Sequence, residues 1–220
     1  MKTAVIIGAG KGMGNSIARI FAQHDFRIVL ISRTKASLDK YVSELAADGH
    51  EIYGEAADAS GIDGLTTALN HILERFGAID LLIYNAAYMA GGKLSEISPN
   101  EVLDHYKTDV LGAHTAVSVV LPGMKARGEG AILFTGGLFG VFPNANPDFA
   151  CMSMDKSALR VMAQMLNAEL KNTGIFCGIV NIMGIVGGTP EFAPDNIAKA
   201  YWKLYCERDA FEVNYQSLLK

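Results

Sequence analysis

Short apolar runs rich in β-branched residues recur along the chain at 3–7, 27–31, 51–56, 79–84, 130–135 and 174–181. Between them apolar positions return every three or four residues, which is a helical period. The first such stretch sets Ile17, Ile20 and Phe21 on one face and Arg19 and Gln23 on the other. Helices are predicted over 13–23, 35–48, 62–76, 99–121 (after the start signal Ser98-Pro99), 152–172 and 194–206, with a last strand over 211–215. Apolar strands alternating with helices pair in parallel, with helices covering both faces. The predicted architecture is therefore an α/β fold: a doubly wound parallel sheet of about seven strands in three α/β/α layers. No repeat or linker divides the chain, which reads as one domain over 1–220. The loosest stretch, 184–196, holds Gly187-Gly188, Pro190 and Pro194 and is a candidate lid.

Where the first run ends, Gly8-Ala-Gly-Lys-Gly-Met-Gly14 leads directly into the first helical pattern. Glycine lets the backbone turn sharply and approach a ligand, and the free N–H groups at a helix start attract phosphate. Following a strand and opening a helix, the turn reads as the dinucleotide cradle of a Rossmann sheet, formed by Gly8, Gly10, Lys11, Gly12, Met13 and Gly14. No Gly-Lys-Ser/Thr closes it, so a P-loop kinase or GTPase is excluded. Ligands in such sheets bind outside the C-terminal strand ends, which here carry Ser32-Arg33, Asp58, Asn85 to Tyr88, Thr135 to Phe139 and Met183 to Thr189.

A site for NAD usually carries an acidic residue about 20 positions beyond the glycines, to hold the ribose 2′-hydroxyl. Ser32 stands there instead, followed by Arg33, and Lys11 lies inside the glycine turn. Two cations in place of one acid suit a 2′-phosphate, so the expected cofactor is NADP(H).

These residues resemble the short-chain dehydrogenase/reductase family over essentially the whole chain. The resemblance rests on Gly8-x-x-x-Gly12-x-Gly14, Asp58, Asn85-Ala86-Ala87, the Lys11 and Arg33 pair and Lys156-Ser-Ala-Leu159. It implies that Asp58 contacts adenine, that Asn85, Ala86 and Ala87 line the cofactor, that Lys156 holds the nicotinamide ribose, and that Thr189 meets the nicotinamide amide. The family's reaction also implies a Tyr as proton donor, a Ser that holds the substrate oxygen, a Lys and an Asn. Only Lys156 is retained: Met152 stands at the Tyr position, Gly136 or Gly137 at the Ser position with Thr135 the nearest hydroxyl, and Asp109 at the Asn position. A positioned general acid contributes roughly 10² to 10⁴ in rate, so its loss slows chemistry without forbidding it.

Candidate substitutes are Tyr88, which is as readily a pocket wall, and Ser153, rotated by about 100° from the Met152 direction on a helix. His105 and Tyr106 fit an outer helical face or an interface as well as a site. Two functions follow. One is an NADP(H)-dependent oxidoreductase with a non-standard proton donor, acting on a small carbonyl or alcohol in an apolar pocket of Gly136, Gly137, Leu138, Phe139 and Met152. The other is an NADP(H)-binding protein without chemistry, such as a redox sensor or assembly partner.

Composition narrows the setting. The 220 residues are 50% hydrophobic, enough for one substantial core, and a net charge of −4 with scattered Lys and Arg gives no footprint for nucleic acid. Cys151, Cys177 and Cys206 lack metal spacing and read as reduced thiols, so no metal is expected and the compartment is expected to be cytoplasmic. No apolar run reaches the roughly 20 residues of a membrane span. The helices 99–121 and 152–172 carry more apolar residues than one sheet face uses, among them Val117, Val120, Leu121, Val161, Met162, Met165 and Leu166. They could be core or interface; the family resemblance implies a homodimer or homotetramer through these helices, which light scattering would show.

Overall fold

A computed structural model describes residues 1–216; the last four positions of the single-domain reading lie outside the described residues. The strands are β1 (Lys2–Ile7), β2 (Phe26–Ser32), β3 (Ile52–Ala56), β4 (Leu81–Tyr84), β5 (Gly130–Gly137), β6 (Ile175–Ile182) and β7 (Glu212–Tyr215). They form one seven-stranded sheet, parallel at every pairing, in the order β3-β2-β1-β4-β5-β6-β7. Successive β1 residues point to opposite faces: Ala4 and Ile6 enter one apolar cluster, Val5 and Ile7 the other. The helices α1 (Met13–Ala22), α2 (Lys35–Ala46) and α8 (Pro194–Glu207) cover the first face. The second is covered by α3 (Ile62–Phe76), α5 (Gly112–Arg127) and α7 (Ala150–Glu169), giving the predicted three layers.

The predicted helix 99–121 is in fact three pieces: α4 (Pro99–Tyr106), a π-helical turn Lys107–Leu111, and α5. A capping box starts α4, Ser98 and Glu101 each bonding the other's backbone N–H. Within the π turn the Tyr84 hydroxyl donates to the Thr108 carbonyl, and Asp109 turns inward to 1% exposure. π turns insert one residue and commonly mark functional positions. Pro122 does not end α5, which runs on to a left-handed Gly128. The short α6 (Leu138–Val141) was not predicted, four residues being too few to show a period. Val117 and Val120 belong to the core, whereas Val161 and Met165 are exposed at 56% and 67%. Among the described residues, no helix is long and apolar enough to cross a membrane, and no group of three His, Cys, Asp or Glu side chains could hold a metal ion.

Candidate active site

The strand order reverses at β1, whose neighbours β2 and β4 lead the chain to opposite edges of the sheet. The loops after β1 and β4 therefore meet. Gly8 sits there at φ +93, where a Cβ would lie 2.7 Å from Ala86 Cα, and a Cβ on Gly14 would lie 2.9 Å from Ala9 Cα. Both glycines are needed for close backbone packing. Gly10 and Gly12 are different, for a Cβ on either meets nothing within 4 Å. Space is thus open beside the start of α1, whose first turn no side chain caps. Lys11 and Arg33 flank it, both exposed and without an ion-pair partner among the described residues. A cradle of this shape and charge fits a dinucleotide phosphate.

A hydrogen-bonded chain ties this cradle to the sheet. Asn85 Nδ2 donates to the Gly8 carbonyl at 2.9 Å, Thr135 Oγ1 donates to Asn85 Oδ1 at 2.9 Å, and the Tyr201 hydroxyl donates to Thr135 Oγ1 at 2.8 Å. Burial pushes the Tyr201 phenol far up, so it acts as a neutral donor. This removes Thr135 as a stand-in for the missing Ser: its hydroxyl is committed inward to Asn85. Of the two glycines, a Cβ at Gly136 would lie 2.9 Å from Ile179 Cδ1 and 3.0 Å from Asn181 Cγ. At Gly137 the nearest atom is the Ile182 carbonyl oxygen at 3.7 Å, so only position 137 has room for a serine. Asp58 accepts from both the backbone N–H and the hydroxyl of Ser60, while Ser32 sits half-buried at the end of β2 and Thr189 lies exposed beside a short 3₁₀ turn, Pro190–Phe192.

Lys156 is buried at 5% exposure, with Nζ 3.3 Å from the Thr135 carbonyl and 3.2 Å from Asp109 Oδ1. Asp109 Oδ2 accepts from the Tyr88 backbone N–H at 2.6 Å. Position 109, expected to hold an amide, thus gives the lysine a buried counter-ion. Behind this pair lie Asp155 and His105, at 2% and 5% exposure, with Asp155 Oδ2 and His105 Nδ1 3.5 Å apart. The sequence does not single out Asp155, and His105, which fits an outer helical face or an interface as well as a site, is buried here. The Tyr88 ring leans on His105, centroids 4.3 Å apart, and is 42% exposed. Ser153 Oγ is buried without a partner, at the wall of an open cavity of ≈ 940 Å³ that Leu94, Pro143, Asn146 and Met154 also line. None of the five residues expected to form an apolar pocket, Gly136, Gly137, Leu138, Phe139 and Met152, lines that cavity.

A profile of the short chain dehydrogenase family matches residues 2–195. Oxidoreductase UcpA of Escherichia coli (strain K12) is 29% identical over 174 residues, which are 79% of this chain and 65% of that protein. A crystal structure of a metagenomic short-chain oxidoreductase in complex with NADP superposes with TM-score 0.90 at 26% identity, covering 99% of this chain and 98% of that one. A short chain dehydrogenase/reductase from Burkholderia phymatum, in complex with NAD, has TM-score 0.88 at 24% identity over 96% and 88% of the two chains, a likeness of fold. The chain belongs to the short-chain dehydrogenase family, a family of oxidoreductases with this seven-stranded parallel sheet.

Proposed function

We propose that this family member is an NADP(H)-dependent oxidoreductase that acts on a small carbonyl or alcohol with a proton donor other than tyrosine. One observation carries the reading: Gly10 and Gly12 open onto space at the uncapped start of α1, between two cations without an ion-pair partner among the described residues. The amides of the Gly8 to Gly14 turn would hold the pyrophosphate, Arg33 and Lys11 the 2′-phosphate, and Asp58 the adenine. Asn85, Ala86, Ala87 and Thr189 would line the nicotinamide half, with Lys156 on its ribose hydroxyls. When bound, the nicotinamide supplies or accepts a hydride. The protein's own part is to align the two reactants, itself a contribution of up to about 7 to 11 kcal/mol, and to supply the proton.

The choice of NADP(H) over NAD(H) has a direct test. A charge-assisted bond to a phosphate contributes about 1.5 to 3 kcal/mol. Arg33→Ala should therefore weaken NADPH about 10- to 100-fold in a fluorescence titration and change NADH by less than about threefold. Equal weakening of both would remove the 2′-phosphate assignment. A second reading, a cofactor-binding protein without chemistry, is favoured by Met152 and by the carboxylate that neutralises Lys156.

A further inference from the structure

Four ionisable side chains, Asp109, Lys156, Asp155 and His105, are packed into one buried volume between the π turn, α4 and α7, each at most 5% exposed. Lys156 and Asp109 cancel one another at 3.2 Å. What remains is a carboxyl and an imidazole facing each other at 3.5 Å, and neither Asp155 Oδ2 nor His105 Nδ1 makes a hydrogen bond to any other group. With no proton on that pair the buried volume would hold a net negative charge, which is unfavourable. With one proton it is neutral, whether the proton sits on oxygen or on nitrogen. His105 also borders a small cavity of ≈ 50 Å³ shared with Tyr88, Ile97, Glu101 and Cys151, large enough for water.

We propose that Asp155 and His105 hold one proton between them and use it to recharge Lys156, which takes the place of tyrosine as the group that protonates the substrate oxygen. This rests on the oxidoreductase reading. In the reduction a hydride from the nicotinamide forms the new C–H bond and the carbonyl π bond breaks. The oxygen takes a proton from Lys156 Nζ, and the neutral amine regains one from the Asp155–His105 pair. The pair is refilled from water in the small cavity beside His105. Lys156 is the catalytic residue in this scheme, and Asp155 and His105 act through it.

The groups that face the pair are Glu101 and Asp104 on α4, Asp109 in the π turn, Cys151 and Lys156 on α7, and Tyr88 in the loop after β4. Burial, and next the charge of Asp109, push the Asp155 carboxyl up to about 7 against the pull of Lys156. Burial holds His105 below the usual imidazole range, against Asp109, Glu101 and Asp104. Both shifts favour the neutral forms, as an uncharged acid beside an uncharged base requires.

The test is to follow the Asp155 carboxyl and His105 ring by nuclear magnetic resonance from about pH 5 to about pH 9, across the range in which His titrates, in the wild type, Asp155→Asn and His105→Gln. A single step near pH 7 seen at both residues, and lost from His105 in Asp155→Asn, is the expected result. An Asp155 carboxylate that stays ionised beside a neutral His105 throughout would overturn the store. Turnover supplies the second arm: wild-type kcat for reduction should fall as pH rises through the same step. In Asp155→Asn it should be flat and at least about tenfold lower, with the NADPH KM within about twofold. If Asp155→Asn does not fold, His105→Gln carries the same comparison. A wild-type kcat indifferent to that step would overturn the recharging of Lys156. Absence of all turnover would instead remove the oxidoreductase reading and the recharging with it, while the resonances still decide the store.

Discussion

Lys156→Met should lower stability by about 3 to 5 kcal/mol, a melting point lower by about 10 °C or more in calorimetry. The substitution keeps the volume of the side chain and removes only the ammonium. Asp109, 1% exposed, then keeps the Tyr88 N–H as a donor and loses its counter-ion at 3.2 Å. A buried carboxylate in that position takes up a proton or strains the π turn around it, and either costs more than the lost attraction alone. The double variant Lys156→Met with Asp109→Asn should recover most of the loss, because no unpaired charge is left. Equal instability of the single and double variants would mean that the pair is not coupled as its geometry requires.

The second large effect separates folding from binding at the glycine turn. Gly8→Ala forces an L residue to φ +93 and drives its Cβ to 2.7 Å from Ala86 Cα. The backbone cannot yield easily, since the N–H groups of Gly8 and Ala9 both bond the Ile31 carbonyl at 3.0 Å and the Gly8 carbonyl accepts from Asn85. The left-handed penalty and the overlap together cost about 3 kcal/mol. Gly12→Ala is the contrast: its Cβ meets nothing within 4 Å. It should fold with a loss of about 1 kcal/mol or less, yet weaken NADPH at least about tenfold, because the methyl occupies the space left for phosphate. A Gly12→Ala protein with unchanged NADPH affinity would show that this space is not the cradle.

Much of this was legible in the sequence because it is local. Apolar runs marked all seven strands to within a few residues, and the break from Ile7 into four glycines marked the turn proposed as the cradle. The substitutions at Met152 and Asp109 could be counted off from Lys156 and Gly112. What could not be read depends on contacts far apart in the chain. Asp109 and Lys156 are distant in sequence, and only the packing of α7 against the π turn makes them an ion pair. Asp155 looked like one more charge on a helix, and its burial becomes evident only when α4 lies over it. The hydroxyl of Thr135 seemed available until Tyr201, from a helix on the opposite face, was found directing it toward Asn85. The exclusion of any larger residue at position 136 has a similar cause, in the Asn181 side chain from the neighbouring strand.

In the proposed reaction the site transfers hydride without a tyrosine, with Lys156 as the proton donor. Single-turnover oxidation of bound NADPH, measured over a panel of aldehydes and ketones for the wild type beside Met152→Tyr, tests it most directly. NADPH oxidation by the wild type with at least one carbonyl, abolished in Lys156→Met under conditions where the variant remains folded, is the expected result. A wild type silent on every carbonyl, beside a Met152→Tyr variant that oxidises NADPH, would contradict it.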